Sequence, residues 1–301
     1  MLNDIRYAVR TLRRSFGFAV ILTAITVVTC GVSLRADAQG SFDRTLNVKG
    51  PVDLDIQTGS GHIEVRAGGT SAVVIRGTIR VREGIFSSGS AEERVRAIES
   101  HPPIQQNGNM IRVGQMEDPE LRRGISIAYE VTVPADTRLR AHTGSGHVTV
   151  DGIHGPVNAE TGSGPVSISR VSDEVRAHTG SGRMELDAIQ GSVDAHTGSG
   201  GIRGSRIAGR IVASTGSGGL DLEQTGAGDI RAHTGSGGVK ISTPAAAGFD
   251  LRAHTGSGHI TVDRPMSVHG TVGHHDLQAK VGGGGSAIVD VSTGSGSVHI
   301  E

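Results

Sequence analysis

The sequence predicts an all-β fold: a single-stranded β-solenoid of about 18-residue coils, with a β-rich N-terminal cap that contains one short helix. Three observations predict it. Thr-Gly-Ser-Gly begins at Thr58, Thr143, Thr161, Thr179, Thr197, Thr215, Thr234, Thr255 and Thr293, and from Thr143 to Thr215 the spacing is 18 residues each time. Around that motif apolar and polar residues alternate, as in Val175-Arg176-Ala177-His178-Thr179 and Val148-Thr149-Val150, which is the period of a strand. Finally, a unit of two short strands cannot bury a core alone, whereas stacked copies can.

The first 38 residues read as a targeting segment. Arg6, Arg10, Arg13 and Arg14 precede an uncharged, apolar run from Ser15 to Leu34, and Ala36-Asp37-Ala38 supplies an A-x-A site. Two outcomes fit this pattern: cleavage after Ala38, or retention as an anchor, since about 20 apolar residues cross a hydrocarbon core. In the second case the basic residues stay cytoplasmic. Arg13-Arg14-Ser15-Phe16 matches a twin-arginine core, although Leu12 and Gly17 do not fit it. Val27-Val28-Thr29-Cys30 is only a partial lipoprotein box, because Thr29 precedes the Cys. The opening residues, Met1 to Arg14, resemble the start of bacterial macrolide-exporter-type ABC permeases. That resemblance stops at the first apolar segment and implies membrane targeting alone.

Residues 39–140 form the expected cap, continuous with the solenoid. It carries one early repeat, Gln57 to Val65, and strand-like runs at Ala72–Val81, Met110–Val113 and Ile125–Val133. Ser90-Ala91-Glu92-Glu93 is a capping-box pattern that predicts a short helix through about Ile98, ended by Pro102-Pro103. Ser87 to Ser90 and Glu117 to Gly124 read as exposed loops. Such a cap would close one end of the stack against edge pairing.

Residues 141–301 are the repeats. Val175 and Ala177 point inward, and the same register gives Leu139/Ala141, Val157/Ala159, Val193/Ala195, Ile211/Ala213, Ile230/Ala232 and Leu251/Ala253. Thr follows on the inward side, where its hydroxyl can satisfy turn carbonyls. Gly-Ser-Gly then reverses the chain. Thr225-Gly226-Ala227-Gly228 reads as a degenerate copy, and the 38-residue interval before Thr293 as two repeats around Val281 to Gly285. Coils should stack ~4.8 Å apart.

Tyr129-Glu130-Val131-Thr132-Val133-Pro134, followed by Leu139 to Val148 with its Thr143-Gly144-Ser145-Gly146 unit, resembles the bacterial putative-adhesin family of unknown-function domains. Members carry a strand ending in V-x-V-P and then repeated T-x-S-G-x-h-x-h units. The terminal Thr293 to Ile300 also fits, and the resemblance covers about residues 43–301. It implies an envelope-exposed β-solenoid and no established enzyme activity. This chain departs from the pattern in the uniformity of its A-H-T-G-S-G copies and in its permease-like leader.

Composition narrows the function classes. Basic and acidic residues number 29 and 30, so no positive excess exists to displace counterions from nucleic acid. Beyond residue 38 the balance is 24 to 28, a net charge of −4. Glycine, 47 of 301 residues, does not recur every third position, which excludes collagen, and the single Cys30 excludes a disulfide scaffold. Calcium-binding nonapeptides need an Asp at a fixed place in each turn, and only Asp221 and Asp229 come near. No G-x-S-x-G elbow, zinc motif or cofactor motif appears. The turns are too short to wall a lyase cleft, and Asp151, Asp187 and Asp263 read as turn residues. A flat Thr array for ice fits poorly, because Thr149 and Thr261 have Ser167, Glu185, Asp221 and Ser242 as equivalents and the outward face is irregular.

Five histidines, His142, His178, His196, His233 and His254, share one outward register, with Glu160 and Ser214 in the other coils. Neighbouring rings such as His178 and His196 could share a divalent metal or sense pH, but no Cys or regular carboxylate completes a coordination shell. A solvated ladder is the plainer reading, and it holds for His274-His275 too. With Arg140, Arg176, Arg231 and Arg252 these five form the expected binding face, where repeated weak contacts add through avidity. The expected partner is an envelope protein or a surface glycan, with the membrane engaged through residues 15–34 if they are uncleaved. The alternative is a membrane-tethered structural or stress-sensing scaffold with an envelope protein partner.

Overall fold

The computed structural model describes residues 39–69, 71–81, 88–116, 124–268, 273 and 275–301. The expected targeting segment, the expected cleavage site after Ala38 and residues 117–123 of the expected exposed loop lie outside the described residues. Among the described residues no helix is long and apolar enough to cross a membrane.

Strands β1 (Gln39–Asn47), β2 (Val52–Thr58), β3 (Ile63–Gly68) and β4 (Ala72–Val81) precede helix α1 (Ser88–Ser100). Then come β5 (Ile104–Asn107), β6 (Met110–Val113) and β7 (Ile125–Pro134). Seven coils follow, each contributing two strands. They are β8 (Thr137–Thr143) with β9 (Val148–Asp151), β10 (Val157–Thr161) with β11 (Val166–Val171), and β12 (Val175–Thr179) with β13 (Met184–Ile189). Next are β14 (Val193–Ser199) with β15 (Ile202–Ile207), β16 (Ile211–Ser217) with β17 (Leu220–Gln224), and β18 (Ile230–Ser236) with β19 (Val239–Ser242). The seventh is β20 (Phe249–Ser257) with β21 (Ile260–Val262). The hairpin β22 (Met266–Val268) and β23 (Asp276–Val281) leads to a last coil, β24 (Ala287–Ser295) with β25 (Val298–Ile300).

The strands form two long sheets. Sheet A runs β1-β4-β7-β3-β9-β11-β13-β15-β17-β19-β25-β21, and sheet B runs β22-β23-β20-β24-β18-β16-β14-β12-β10-β8-β2-β6-β5. Between successive coils of the repeats the pairings are parallel, for example Val157↔Val175, Ala159↔Ala177 and Thr161↔Thr179, and in register except for a shift between Gly204 and Ile207 where β15 meets β17. The fold is therefore the solenoid that the 18-residue period predicts.

Coil order departs from chain order at both ends. The coil β2/β3 lies between β6/β7 and β8/β9, which follow it in sequence. The coil β24/β25 lies between β18/β19 and β20/β21, which precede it. Linear stacking would have placed the Thr255 coil on the Thr234 coil. Instead the 38-residue interval before Thr293 holds an antiparallel hairpin and a return to an inserted coil.

The interior is a column of Val, Ile, Leu and Ala. Val175, Ala177, Val166 and Ile168 are at most 2% exposed, and so are their equivalents in neighbouring coils. The inward Thr hydroxyls satisfy glycine carbonyls of an adjacent coil: Thr161 Oγ1 donates to Gly146 O at 2.8 Å and Thr179 Oγ1 to Gly164 O at 2.9 Å. The same bond recurs at Thr143, Thr215, Thr234, Thr255 and Thr293.

The motif glycines are needed chiefly for axial approach. A Cβ at Gly164 would lie 1.9 Å from Gly146 O. At Gly200 a φ of 152° adds a conformational requirement. The opposite corner is left-handed in successive coils, at Gly152, Arg170, Ala188 and Arg206. Thr225-Gly226 occupies this opposite turn, with Thr225 N donating to Ile207 O, so it is no degenerate Thr-Gly-Ser-Gly arc. There Gln224, 4% exposed, takes the place of an apolar corner residue and donates from Nε2 to Gly209 O.

At the N-terminal end β1, β4 and β7 extend sheet A antiparallel. Helix α1 packs Ala91, Val95 and Ile98 into the core, and Glu99 Oε1 accepts from Ser41 N at 2.9 Å. The helix begins at Ser88, so residues 88–90 form its first turn rather than a loop, and Ser90 is not the cap. It ends at Ser100, ahead of Pro102, as the prolines require. Phe42 and Tyr129 meet edge-on, with centroids 6.4 Å apart, in space kept open by Gly77.

Candidate functional site

Strand alternation sends every second residue of sheet B outward, and parallel registry lines them into columns. One column reads Asp55, Arg140, Asn158, Arg176, Asp194, Val212, Arg231, Asp290, Arg252 and Gln278 across the sheet. Its neighbour reads Gln57, His142, Glu160, His178, His196, Ser214, His233, Ser292, His254 and Asp276. All nine residues of the expected face therefore lie on one surface. Arg140, His142, Arg176, His178, Arg231, His233, Arg252 and His254 are exposed, and His196 is half-buried.

The columns are more mixed than chain order suggests. Only His178 and His196 are direct neighbours. Ser292 separates His233 from His254, because the inserted coil comes between them. Most of these rings have acceptors. His142 Nδ1 lies 3.6 Å from Glu160 Oε2, His196 Nε2 lies 2.6 Å from Asp194 Oδ1, and His254 Nδ1 lies 2.7 Å from Asp276 Oδ1. His196 and His233 also meet Ser214 Oγ and Ser292 Oγ, at 2.6 and 2.8 Å. Among the described residues no group of three or more His, Cys, Asp or Glu is placed to hold a metal ion. His275 is exposed and its carbonyl accepts from Thr255 N, whereas His274 lies outside the described residues.

The outward face of sheet A carries two depressions. One, of about 210 Å³, is lined by Asp43, Glu64, Arg66, Arg76 and Glu130. Asp43 Oδ1 accepts from Arg76 Nε at 2.9 Å, and the carboxylate raises the Arg76 pKa. The other, of about 320 Å³, lies between Arg183, Arg203 and Asp221, over a floor of Gly201 and Gly219. Pockets for drug-sized molecules are typically about 300–1,000 Å³. The first depression falls below that range and the second at its lower end, and neither brings a nucleophile to a base.

Two further clusters were not foreseen from sequence. His62 and His147 follow Thr-Gly-Ser-Gly in adjacent coils, and their rings stack with parallel planes and centroids 4.8 Å apart. Burial, then the neighbouring His147, lowers the His62 pKa, against opposing pulls from Glu130 and Glu64. The signal was a shared position after the motif, across an 85-residue gap that only the inserted coil β2/β3 closes. At the other end Glu301 Oε1 accepts from Lys240 Nζ at 2.8 Å and from Ser242 Oγ at 2.7 Å. These bonds hold the Glu301 carboxyl down at about 2. Asp151 and Asp187 are more than turn residues: each pairs with the left-handed arginine of the next coil, Arg170 and Arg206.

The family model described as Toastrack DUF4097 matches residues 53–301. The chain belongs to the Toastrack DUF4097 family. The matched region spans the solenoid from the inserted coil β2/β3 to Glu301, so the two sheets and the outward columns are those of a Toastrack domain. No curated protein matches the chain. Among solved structures it is similar to a putative adhesin from Bacteroides fragilis NCTC 9343. That likeness has 14% identity over 87% of this chain and 97% of the other, with a TM-score of 0.44. It is also similar to a putative cell adhesion protein from Clostridium sporogenes ATCC 15579, with 12% identity over 87% and 98% and a TM-score of 0.29.

Proposed function

We propose that this Toastrack chain is a non-enzymatic interaction module of the cell envelope, and that it binds an extended partner along the outward face of sheet B. One observation carries the reading: two register-aligned columns over ten strands hold Arg140, Arg176, Arg231, Arg252 and five histidines on one surface, spaced by acidic and neutral residues. A regular, exposed array suits a polymer that makes many weak contacts, with avidity replacing a deep pocket. The basic leader and its apolar run support an envelope location. A surface glycan with anionic groups fits the spaced arginines better than a folded protein does, because its contacts repeat along one axis.

Co-sedimentation with purified, insoluble envelope polysaccharide tests this. The natural chain should pellet with the polymer, and Arg176→Glu with Arg231→Glu and Arg252→Glu should remain in the supernatant at an unchanged Tm. Equal pelleting of both proteins would overturn the assignment of the face.

A further inference from the structure

Residues 287–300 fill a slot made by other coils. On one side Val289, Val291 and Thr293 pair with Ile230, Ala232 and Thr234 of β18, and Val298 and Ile300 pair with Val239 and Ile241 of β19. On the other side the same residues pair with Leu251, Ala253 and Thr255 of β20 and with Ile260 and Val262 of β21. Both walls carry the repeat pattern of the segment they hold, and both present it in parallel register. Val289, Val291, Thr293, Val298 and Ile300 are at most 2% exposed, so the slot is a complete binding site for one coil.

The filling segment is also the element that the chain can most readily lend. It joins the rest of the fold through residues 282–286, where Gly282, Gly283 and Gly284 take φ of 60°, 86° and 79°. Five extended residues span roughly 17 Å, enough to reach a neighbouring molecule. The clasps at its two ends consist of groups that a second copy would present identically. Lys240 and Ser242 hold Glu301, Thr243 N donates to Glu301 O, and Asp229 Oδ1 accepts from Ile288 N at 3.0 Å.

We propose that residues 287–300 are an exchangeable coil, and that the slot between β18/β19 and β20/β21 accepts the same segment from a second copy of this chain. Reciprocal exchange gives a two-fold dimer in which the buried contacts of the exchanged segment are remade between chains. Only residues 282–286 change conformation.

Cysteine pairing across the slot tests the exchange. His233 and Ser292 are register partners, with Nδ1 and Oγ 2.8 Å apart, within reach of a disulfide after substitution. Full-length chains carrying Cys30→Ser and either His233→Cys or Ser292→Cys are mixed in detergent micelles, partly unfolded in urea, refolded together and oxidised. The expected result is a covalent dimer joining the two variants, resolved without reductant. The double variant in one chain serves as the control for geometry. A double variant that closes internally while the mixture yields no dimer overturns the proposal. An equal dimer yield from His178→Cys mixed with Ser292→Cys does so too, since His178 lies outside the slot. If the first pair prevents folding, Arg231→Cys with Asp290→Cys reads the same registry.

Discussion

Thr234 and Thr293, 59 residues apart in sequence, are direct register partners in sheet B, and Thr255 pairs with the far side of Thr293. The threonine ladder is thus continuous through the inserted coil. Thr293 Oγ1 donates to Gly237 O at 2.9 Å, and Thr255 Oγ1 to Gly296 O at 2.8 Å, as the other coils do with their neighbours.

That continuity gives a first expectation. In Thr179→Val the side chain keeps its shape and loses the hydroxyl bonded to Gly164 O. A buried carbonyl left without a partner costs about 1–3 kcal/mol. Urea unfolding should show that loss, with a smaller one for Thr179→Ser, which retains the donor.

Glycines of the arc divide into two kinds. Gly164→Ala would drive a Cβ to within 1.9 Å of a backbone carbonyl and force two coils apart, at a cost of about 1–3 kcal/mol. Gly219→Ala would meet Gly238 O at 3.4 Å, an ordinary contact, and should change stability by less than about 0.5 kcal/mol. Thermal unfolding of the pair separates axial crowding from a general preference for glycine.

Ala188 holds a left-handed conformation, φ 53°, that Gly152, two coils away in the same column, adopts without a Cβ. Relief of about 1–2 kcal/mol of steric cost outweighs the added freedom of the unfolded chain, about 0.4–1 kcal/mol. Ala188→Gly should therefore raise the unfolding midpoint, and a fall would show that the corner is unstrained.

Acidification should weaken the fold through His62. Its pKa is lowered in the folded state by burial and by His147. Above the ordinary value of 6.5 both states hold it neutral and stability is full. As pH falls through that value the unfolded chain takes up the proton first, so stability drops until the lower folded pKa is passed. Urea midpoints at about pH 8 and about pH 5 should differ less in His62→Gln than in the natural chain.

Much of this molecule is written locally. The alternation in Val175 to Thr179 decides which side chains enter the core, because a strand has only two faces. The Gly-Ser-Gly arcs decide where the chain turns, and the 18-residue period decides that coils stack. The same residues determine that Arg176 and His178 point outward. Neighbours across the sheet are another matter. The Thr234, Thr255 and Thr293 coils carry nearly the same pattern, so each can pair with any other, and periodicity is silent on the order. Long-range closure decides it: the hairpin β22/β23 covers the edge of β20 and returns residues 287–300 into the remaining slot. Tertiary structure alone therefore sets Ser292 between His233 and His254, brings His62 onto His147, and clasps Glu301 with Lys240. Sequence determines the shape of one coil. Backbone pairing that is blind to side-chain identity leaves the sequence of coils to the folded whole.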